Sequence, residues 1–310
     1  MDVTPLRQRR IRRRALLVAC AALTAAALGT ALGAGLGNGG AAAPEGGGAG
    51  TSSPSGDSLR FFALADTGSG NANQQAVADR MAERHRRDPV DLVLLGGDNI
   101  YPNGNLSLVE STFERPYRAL RQAGVPFHAV LGNHDIRTSN GTPQLRYRPF
   151  GMGGRWYALR RGPVAFFLLD TNANADWTQQ LRWLEGALQA STAPWKVVVG
   201  HHPIYSAGHY GDQPALIERL TPLFRRHGVQ LYINGHEHSY ERTRPINGTT
   251  YLIVGGGGAW LRPIRANARS AKALSAYSFA ELSASASRME IRAFDLKGHL
   301  IDQASLSPRS

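Results

Sequence analysis

Five times along this chain a short apolar run, suited to a buried strand, stops at a small cluster of polar residues. Residues 59–65 lead into Asp66-Thr67-Gly68, and 92–95 into Gly96-Gly97-Asp98-Asn99-Ile100-Tyr101. Residues 127–131 lead into Gly132-Asn133-His134-Asp135, 196–199 into Gly200-His201-His202-Pro203, and 231–233 into Asn234-Gly235-His236-Glu237-His238. Continuous apolar runs mark strands covered on both faces, as in parallel sheets whose crossovers are helices. In such sheets the carboxyl ends of the strands line the active crevice, so the five clusters converge on one place.

Two more apolar runs, 164–169 and 251–254, have the same character. Helical spacing falls between many of the runs. Trp177, Leu181, Leu184 and Leu188 share one face behind Asp176 as a cap. Val109, Phe113, Tyr117 and Leu120 do likewise, with Pro116 placed to kink or end that helix. Leu216, Leu220 and Phe224 mark a third helix, where Pro222 raises the same expectation. From 273 the pattern changes, and 277–282, 287–295 and 299–304 read as a meander of antiparallel strands. This order predicts an α/β fold: a four-layer α/β/β/α sandwich of two mixed sheets flanked by helices. No internal repeat interrupts it, so one catalytic domain over 59–306 is expected.

The segments before it are of another kind. Residues 38–58 are Gly, Ala, Ser and Pro with little else, a flexible linker that cannot form a core. Residues 1–37 begin with Arg7, Arg9, Arg10, Arg12, Arg13 and Arg14, followed by an Ala-rich apolar run. That is the pattern of an export signal, and the clustered Arg pairs fit a twin-Arg signal. The run is also long enough to stay as a single N-terminal membrane anchor, and cleavage and anchoring are both compatible with it. Either way the domain is expected outside the cytoplasm. Cys20 is the only cysteine, which excludes an intramolecular disulfide. The chain carries +12; its first fifty residues hold six Arg against Asp2 and Glu45, a net of +4, which leaves +8. No basic stripe is interleaved with aromatics, so the excess points away from nucleic acid and is compatible with anionic substrates.

The residue types in the five clusters specify metal chemistry. Carboxylates, an amide oxygen, a phenol and imidazoles suit Fe, Mn or Zn, and no thiolate is present to select softer metals. A bridging Asp can hold two cations about 3.5–4 Å apart. His236 and His238, at i and i+2, face one side if the backbone is extended.

In this order, Asp-x-Gly, Gly-Asp-Asn-x-Tyr, Gly-Asn-His-Asp, Gly-His-x-Pro and Gly-His-x-His resemble the calcineurin-like metallophosphoesterases. The Tyr three places after the second Asp narrows the resemblance to purple acid phosphatases of the small tartrate-resistant type. The resemblance implies a binuclear centre of Fe3+ and a divalent ion (Fe2+, Zn2+ or Mn2+). Asp66, Asp98, Tyr101 and His238 would hold the ferric ion, Asp98 would bridge, and Asn133, His201 and His236 would complete the divalent site. His134 and His209 would be the outer histidines, and His202 is assigned no ligand role. A metal-bound hydroxide would attack a phosphomonoester of a small molecule or peptide, with His134 protonating the leaving alkoxide. An alternative on the same fold is a Mn- or Zn-dependent phosphodiesterase, and a Tyr ligand discriminates because it implies ferric iron. A non-catalytic module would be marked by lost ligands, and all seven positions hold competent residues.

Three features stay open. The glycines at 255–258 with Ala259-Trp260 are either a mobile substrate loop, with Trp260 stacking on a leaving group, or a tight turn with a buried Trp. Arg137, Arg146 and Arg148 are either substrate contacts or a solvated face. His85, His128, His227 and His299 lie outside the motifs and read as structural.

Overall fold

The computed structural model describes residues 58–308; the expected export segment, and all of the linker but its last residue, lie outside them. Among the described residues no helix is long and apolar enough to cross a membrane.

The first strand, β1 (Ser58–Leu64), shows how the layers are made. Side chains alternate across a strand, so Phe61 points into one apolar cluster and Phe62 into another. Phe61 meets Phe166 of the opposite sheet edge to face at 5.2 Å, in the core between the two sheets. Phe62 packs on the outer face against Val77 and Met81 of α1 (Ala72–Arg87).

The first sheet also contains β2 (Leu92–Leu95), β3 (Phe127–Ala129), β11 (Ser278–Ser285), β12 (Met289–Asp295) and β13 (Leu300–Leu306), in the order β13-β12-β11-β1-β2-β3. β1, β2 and β3 run parallel, while β11, β12 and β13 form the expected antiparallel meander. The second sheet holds, in spatial order, β10 (Ser270–Leu274), β8 (Tyr240–Thr243), β9 (Thr250–Val254), β7 (Leu231–Asn234), β6 (Trp195–Val199), β5 (Val164–Leu168) and β4 (Tyr157–Arg161). Its central strands β5, β6, β7 and β9 are parallel. Outside it lie α4 (Trp177–Ala190) and α5 (Pro214–His227), with Leu184, Leu188, Leu220 and Phe224 covering Phe167, Val198 and Tyr232. The result is the four-layer sandwich that the sequence pattern predicts.

Three strands escaped the apolar-run criterion. β4, β8 and β10 are antiparallel additions that are polar or half exposed. β8 buries Glu241 and carries Arg242, which pairs with Asp302 at 2.6 Å, so tertiary partners replace the missing apolar pattern. The expected helix through Val109 and Leu120 is broken at Pro116. A wide turn over Glu110–Glu114 precedes α2 (Arg118–Gln122). Pro116 has no N–H for the Thr112 carbonyl four residues back, and the Gln74 side chain donates to that carbonyl instead, at 2.5 Å. Pro222, by contrast, sits inside α5 without ending it.

Candidate metal centre

Every expected ligand lies just beyond a strand's carboxyl end, and three of them leave the strand through a strained turn. Asp66, Asp98 and His236 have φ of 56°, 53° and 69°. Left-handed backbone at a non-glycine residue costs of order 1–2 kcal/mol and persists only where its surroundings impose it. Here those surroundings are neighbouring strand ends. The Asp66 N–H donates to the Gly97 carbonyl at 3.0 Å, and the His236 N–H donates to Asp66 Oδ2 at 2.8 Å. The His134 N–H donates to Asp98 Oδ1 at 2.8 Å. Gly97 itself has φ of 91°, and a Cβ there would lie 2.6 Å from His201 Nδ1.

The side chains gather into two adjoining groups. In the first, the Tyr101 hydroxyl donates to Asp66 Oδ1 at 3.1 Å and lies 3.2 Å from His238 Nε2. In the second, His201 Nε2 is 3.1 Å from Asn133 Oδ1 and 3.3 Å from His236 Nδ1. Asp98 stands between them: its Oδ2 is 3.5 Å from His201 Nε2, and its carboxylate lies beside the Tyr101 hydroxyl. Ligand atoms of Asp66, Asp98 and His201 all fall within 4.8 Å of one another. His236 and His238 part company, contrary to the extended geometry expected of an i, i+2 pair. The left-handed turn at His236 sends its ring to His201 while His238 turns to Asp66 and Tyr101. Imidazoles that hold metals have their second nitrogen fixed by a hydrogen bond. His201 Nδ1 meets the Gly96 carbonyl at 2.9 Å and His238 Nδ1 the Trp260 carbonyl at 2.8 Å, which leaves both Nε2 atoms facing the cluster.

The electrostatics call for cations. Burial, then the charges of Asp66 and Asp135, push the Asp98 carboxyl well above the carboxylate range. Burial and the same two ligand carboxylates, Asp66 and Asp98, push the Tyr101 phenol well up. Burial, then His202, holds His201 well below an ordinary imidazole, and His236 falls to about 2 for the same kind of reason. For His238 burial works downward, but the hydrogen bond and charge of Asp66 outweigh it and raise the ring. Among the described residues the ion-pair partners of Asp66 and Asp98 are histidines alone. Buried carboxylates without Lys or Arg, beside imidazoles that burial at His201 and His236 keeps from protonating, are the donor set that two hard or borderline cations satisfy.

The outer residues divide. His134 lines the same opening, with Nδ1 on the Pro102 carbonyl at 2.7 Å and Nε2 3.9 Å from Asp98 Oδ2. Burial lowers its pKa, the bond to Pro102 works upward, and Arg137 works downward. Of the three open arginines, Arg137 belongs here, with Nη2 3.3 Å from His134 Nε2; Arg148 lines a separate surface cavity with His128. His209 is exposed, and its ring contact is with Tyr210 at 4.9 Å. Tyr210 is the residue stacked on His236, with ring centroids 4.2 Å apart, and Arg262 lies over the Tyr210 ring. His202 packs 4.6 Å from the His236 ring, and its ligand atom falls within 4.8 Å of those of His201 and His236.

A sixth strand end carries the same signal outside the five motifs. β5 also stops at a polar cluster, Asp170-Thr171-Asn172, and the criterion that found the other five would have found it. The Thr171 hydroxyl accepts from the N–H groups of His201 and His202 at 3.0 and 2.9 Å, and lies 2.9 Å from His202 Nδ1. Asp135 closes the Gly132-Asn133-His134-Asp135 motif. Its buried carboxylate takes bonds from the N–H groups of Asn99, Ile100 and Gly132 and from the Gln144 amide, tying the Asp98 turn to the Asn133 turn.

The loop after β9 resolves its two readings into a third. It is pinned: Gly257 N–H donates to Ala65, Ala259 N–H to Asp66, and Arg262 N–H to His238, all through backbone carbonyls. A Cβ at Gly255 would fall 2.0 Å from the Glu237 carbonyl oxygen and 2.8 Å from Asp66 Oδ2. Yet Trp260 is 71% exposed, so the fixed turn carries an indole that is not buried.

Comparison with known proteins agrees with this geometry. The family model of the calcineurin-like phosphoesterases matches residues 59–240. Purple acid phosphatase 7 of Arabidopsis thaliana is 30% identical over 82% of this chain and 87% of its own length. Purple acid phosphatase 3 of the same plant is 32% identical over 65% of this chain, which spans 64% of that relative. The structure of a purple acid phosphatase from yellow lupin (Lupinus luteus) seeds superposes with a TM-score of 0.69 at 20% identity, over 81% of this chain and 54% of that one, and shows the shared fold. The chain therefore belongs to the calcineurin-like phosphoesterases, in their purple acid phosphatase branch, and is a metal-dependent phosphatase of that family.

Proposed function

We propose that this chain is an exported acid phosphatase that hydrolyses phosphomonoesters at a mixed centre of Fe3+ and a divalent ion. The observation that carries the iron reading is the Tyr101 hydroxyl, 3.1 Å from Asp66 and 3.2 Å from His238, inside the ligand cluster. Asp66, Tyr101 and His238 would hold the ferric ion, Asn133, His201 and His236 the divalent ion, and Asp98 both. When bound, the two cations supply Lewis acidity, neutralising phosphate charge and acidifying water for in-line attack.

The chain's own residues do the rest. With Nδ1–H donated to Pro102, it is Nε2 of His134 that opens onto the crevice, and in the doubly protonated ring that nitrogen gives its proton to the departing alkoxide. Arg137 beside it adds positive charge where phosphate charge is held. Tyr210 and Arg262 cover His236, shield it from water and keep its ring in place. Export is supported by the Arg-rich start and apolar run of residues 1–37.

Metal analysis and a visible spectrum of the purified full chain test this reading, alongside turnover of a phosphomonoester panel. Iron, a charge-transfer band and monoester turnover are expected. Colourless, iron-free protein that cleaves diesters would establish the Mn/Zn phosphodiesterase alternative. Asp98→Ala should lose both ions, and two ions retained per chain would refute the bridging role.

A further inference from the structure

Trp260 is the most exposed large apolar side chain among the described residues, yet its backbone is among the best anchored near the site. Its carbonyl accepts from His238 Nδ1 at 2.8 Å, and the next residue but one holds both motif histidines, Arg262 N–H bonding to the His238 carbonyl and Nη1 to the His236 carbonyl at 3.0 Å each. An indole left in water contributes little to folding; one carried by a backbone tied to the site presents a flat apolar surface beside it.

That surface walls a cavity of about 320 Å3 which Pro102, Leu261 and His134 also line. The cavity is at the small end of ligand pockets, which run about 300–1,000 Å3. Trp260, Leu261 and Pro102 form its apolar side, Tyr101, His238 and Arg262 line it as well, and no carboxylate does. His134 sets the direction of the substrate. A leaving oxygen that takes its proton from Nε2 must sit beside that ring, and the remainder of the alcohol then extends past Tyr101 and His238 toward Trp260, Leu261 and Pro102.

Resting on the phosphatase reading, we infer that Trp260, with Leu261 and Pro102, forms a leaving-group subsite that favours flat aromatic phosphomonoesters over aliphatic ones. Trp260 is a specificity-determining residue: it stacks on the alcohol and takes no part in the chemistry at phosphorus.

The test uses the metal-loaded full chain and its Trp260→Ala and Trp260→Phe variants, with naphthyl phosphate and glycerol phosphate as substrates. Loss of the indole should lower kcat/KM for naphthyl phosphate about tenfold, the scale of one aromatic stacking contact plus its buried area, and for glycerol phosphate under about threefold. Trp260→Phe should recover most of the difference. Phenylphosphonate, which cannot be hydrolysed, should change tryptophan fluorescence in the wild type and not in Trp260→Phe, while methylphosphonate changes neither. Equal losses for both esters, no loss for either, or a fluorescence response that survives Trp260→Phe would overturn the subsite. A wild type that turns over neither ester would overturn the phosphatase reading itself, and the subsite with it.

Discussion

Thr171→Val isolates a residue that touches no substrate yet sets where His201 stands. The Thr171 hydroxyl has one proton and two lone pairs. The lone pairs accept the N–H groups of His201 and His202 at 3.0 and 2.9 Å, and the proton faces His202 Nδ1 at 2.9 Å, so its capacity is used in full. Valine has nearly the same volume, so no cavity opens. What changes is that two backbone N–H groups at a buried strand end lose their acceptor, each costing about 1–3 kcal/mol, or about 4 kcal/mol together. Thr171→Ser keeps all three bonds and removes one methyl, at about 1 kcal/mol. Guanidinium unfolding of metal-free protein near neutral pH measures both variants. Equilibrium dialysis measures divalent-ion affinity, which should fall about 10- to 100-fold for the valine variant because the His201 ring moves off the Gly96 carbonyl. Valine no more destabilising than serine would show that water or a backbone shift satisfies those N–H groups, and the positioning role would be lost.

Four other outcomes are expected. Tyr101→Phe should abolish visible absorption while sparing part of the activity; an unchanged spectrum would remove Tyr101 from the ligand set. Gly255→Ala should destabilise the fold by more than about 2 kcal/mol, since its Cβ meets the Glu237 backbone. Gly186→Ala, in α4 with open space around it, should instead stabilise by about 0.5–1 kcal/mol; thermal midpoints compare the two. Burial lowers His128 below 6.5, and its Nε2 is buried without a partner. The unfolded chain therefore takes up this proton first as pH falls, so the contribution is present above about 6.5 and is lost below it. His128→Asn should flatten the decline of the urea midpoint between about pH 7 and 5, and an unaltered slope would count against the assignment.

The candidate ligands were legible because two local rules coincide in them. Parallel strands between helices must be apolar along their whole length, and the crevice must receive polar residues where they stop. Asp66, Asp98, Asn133, His201 and His236 each sit at such a boundary, and Thr171 shows that the rule reached further than the motifs did. The polar strands β4, β8 and β10 were invisible because their stability comes from pairing and from partners such as Asp302 and Ser270, distant in sequence. The stacking of Tyr210 on His236 was invisible for a related reason: it depends on how the loop after β6 folds back, which no periodicity encodes.

The amino-acid sequence by itself determined the α/β sandwich, the candidate ligands at the strand ends and a donor set of metal-binding type, because hydrophobic period and donor type are local properties. Only the tertiary structure decided which ligands share a group, that His236 and His238 face different ways, and that Trp260 stands exposed over a cavity beside His134. Those are matters of backbone handedness and of contacts between residues far apart in the chain. A left-handed turn at one histidine, held by an aspartate 170 residues earlier, redirects a side chain that local pattern would have pointed elsewhere.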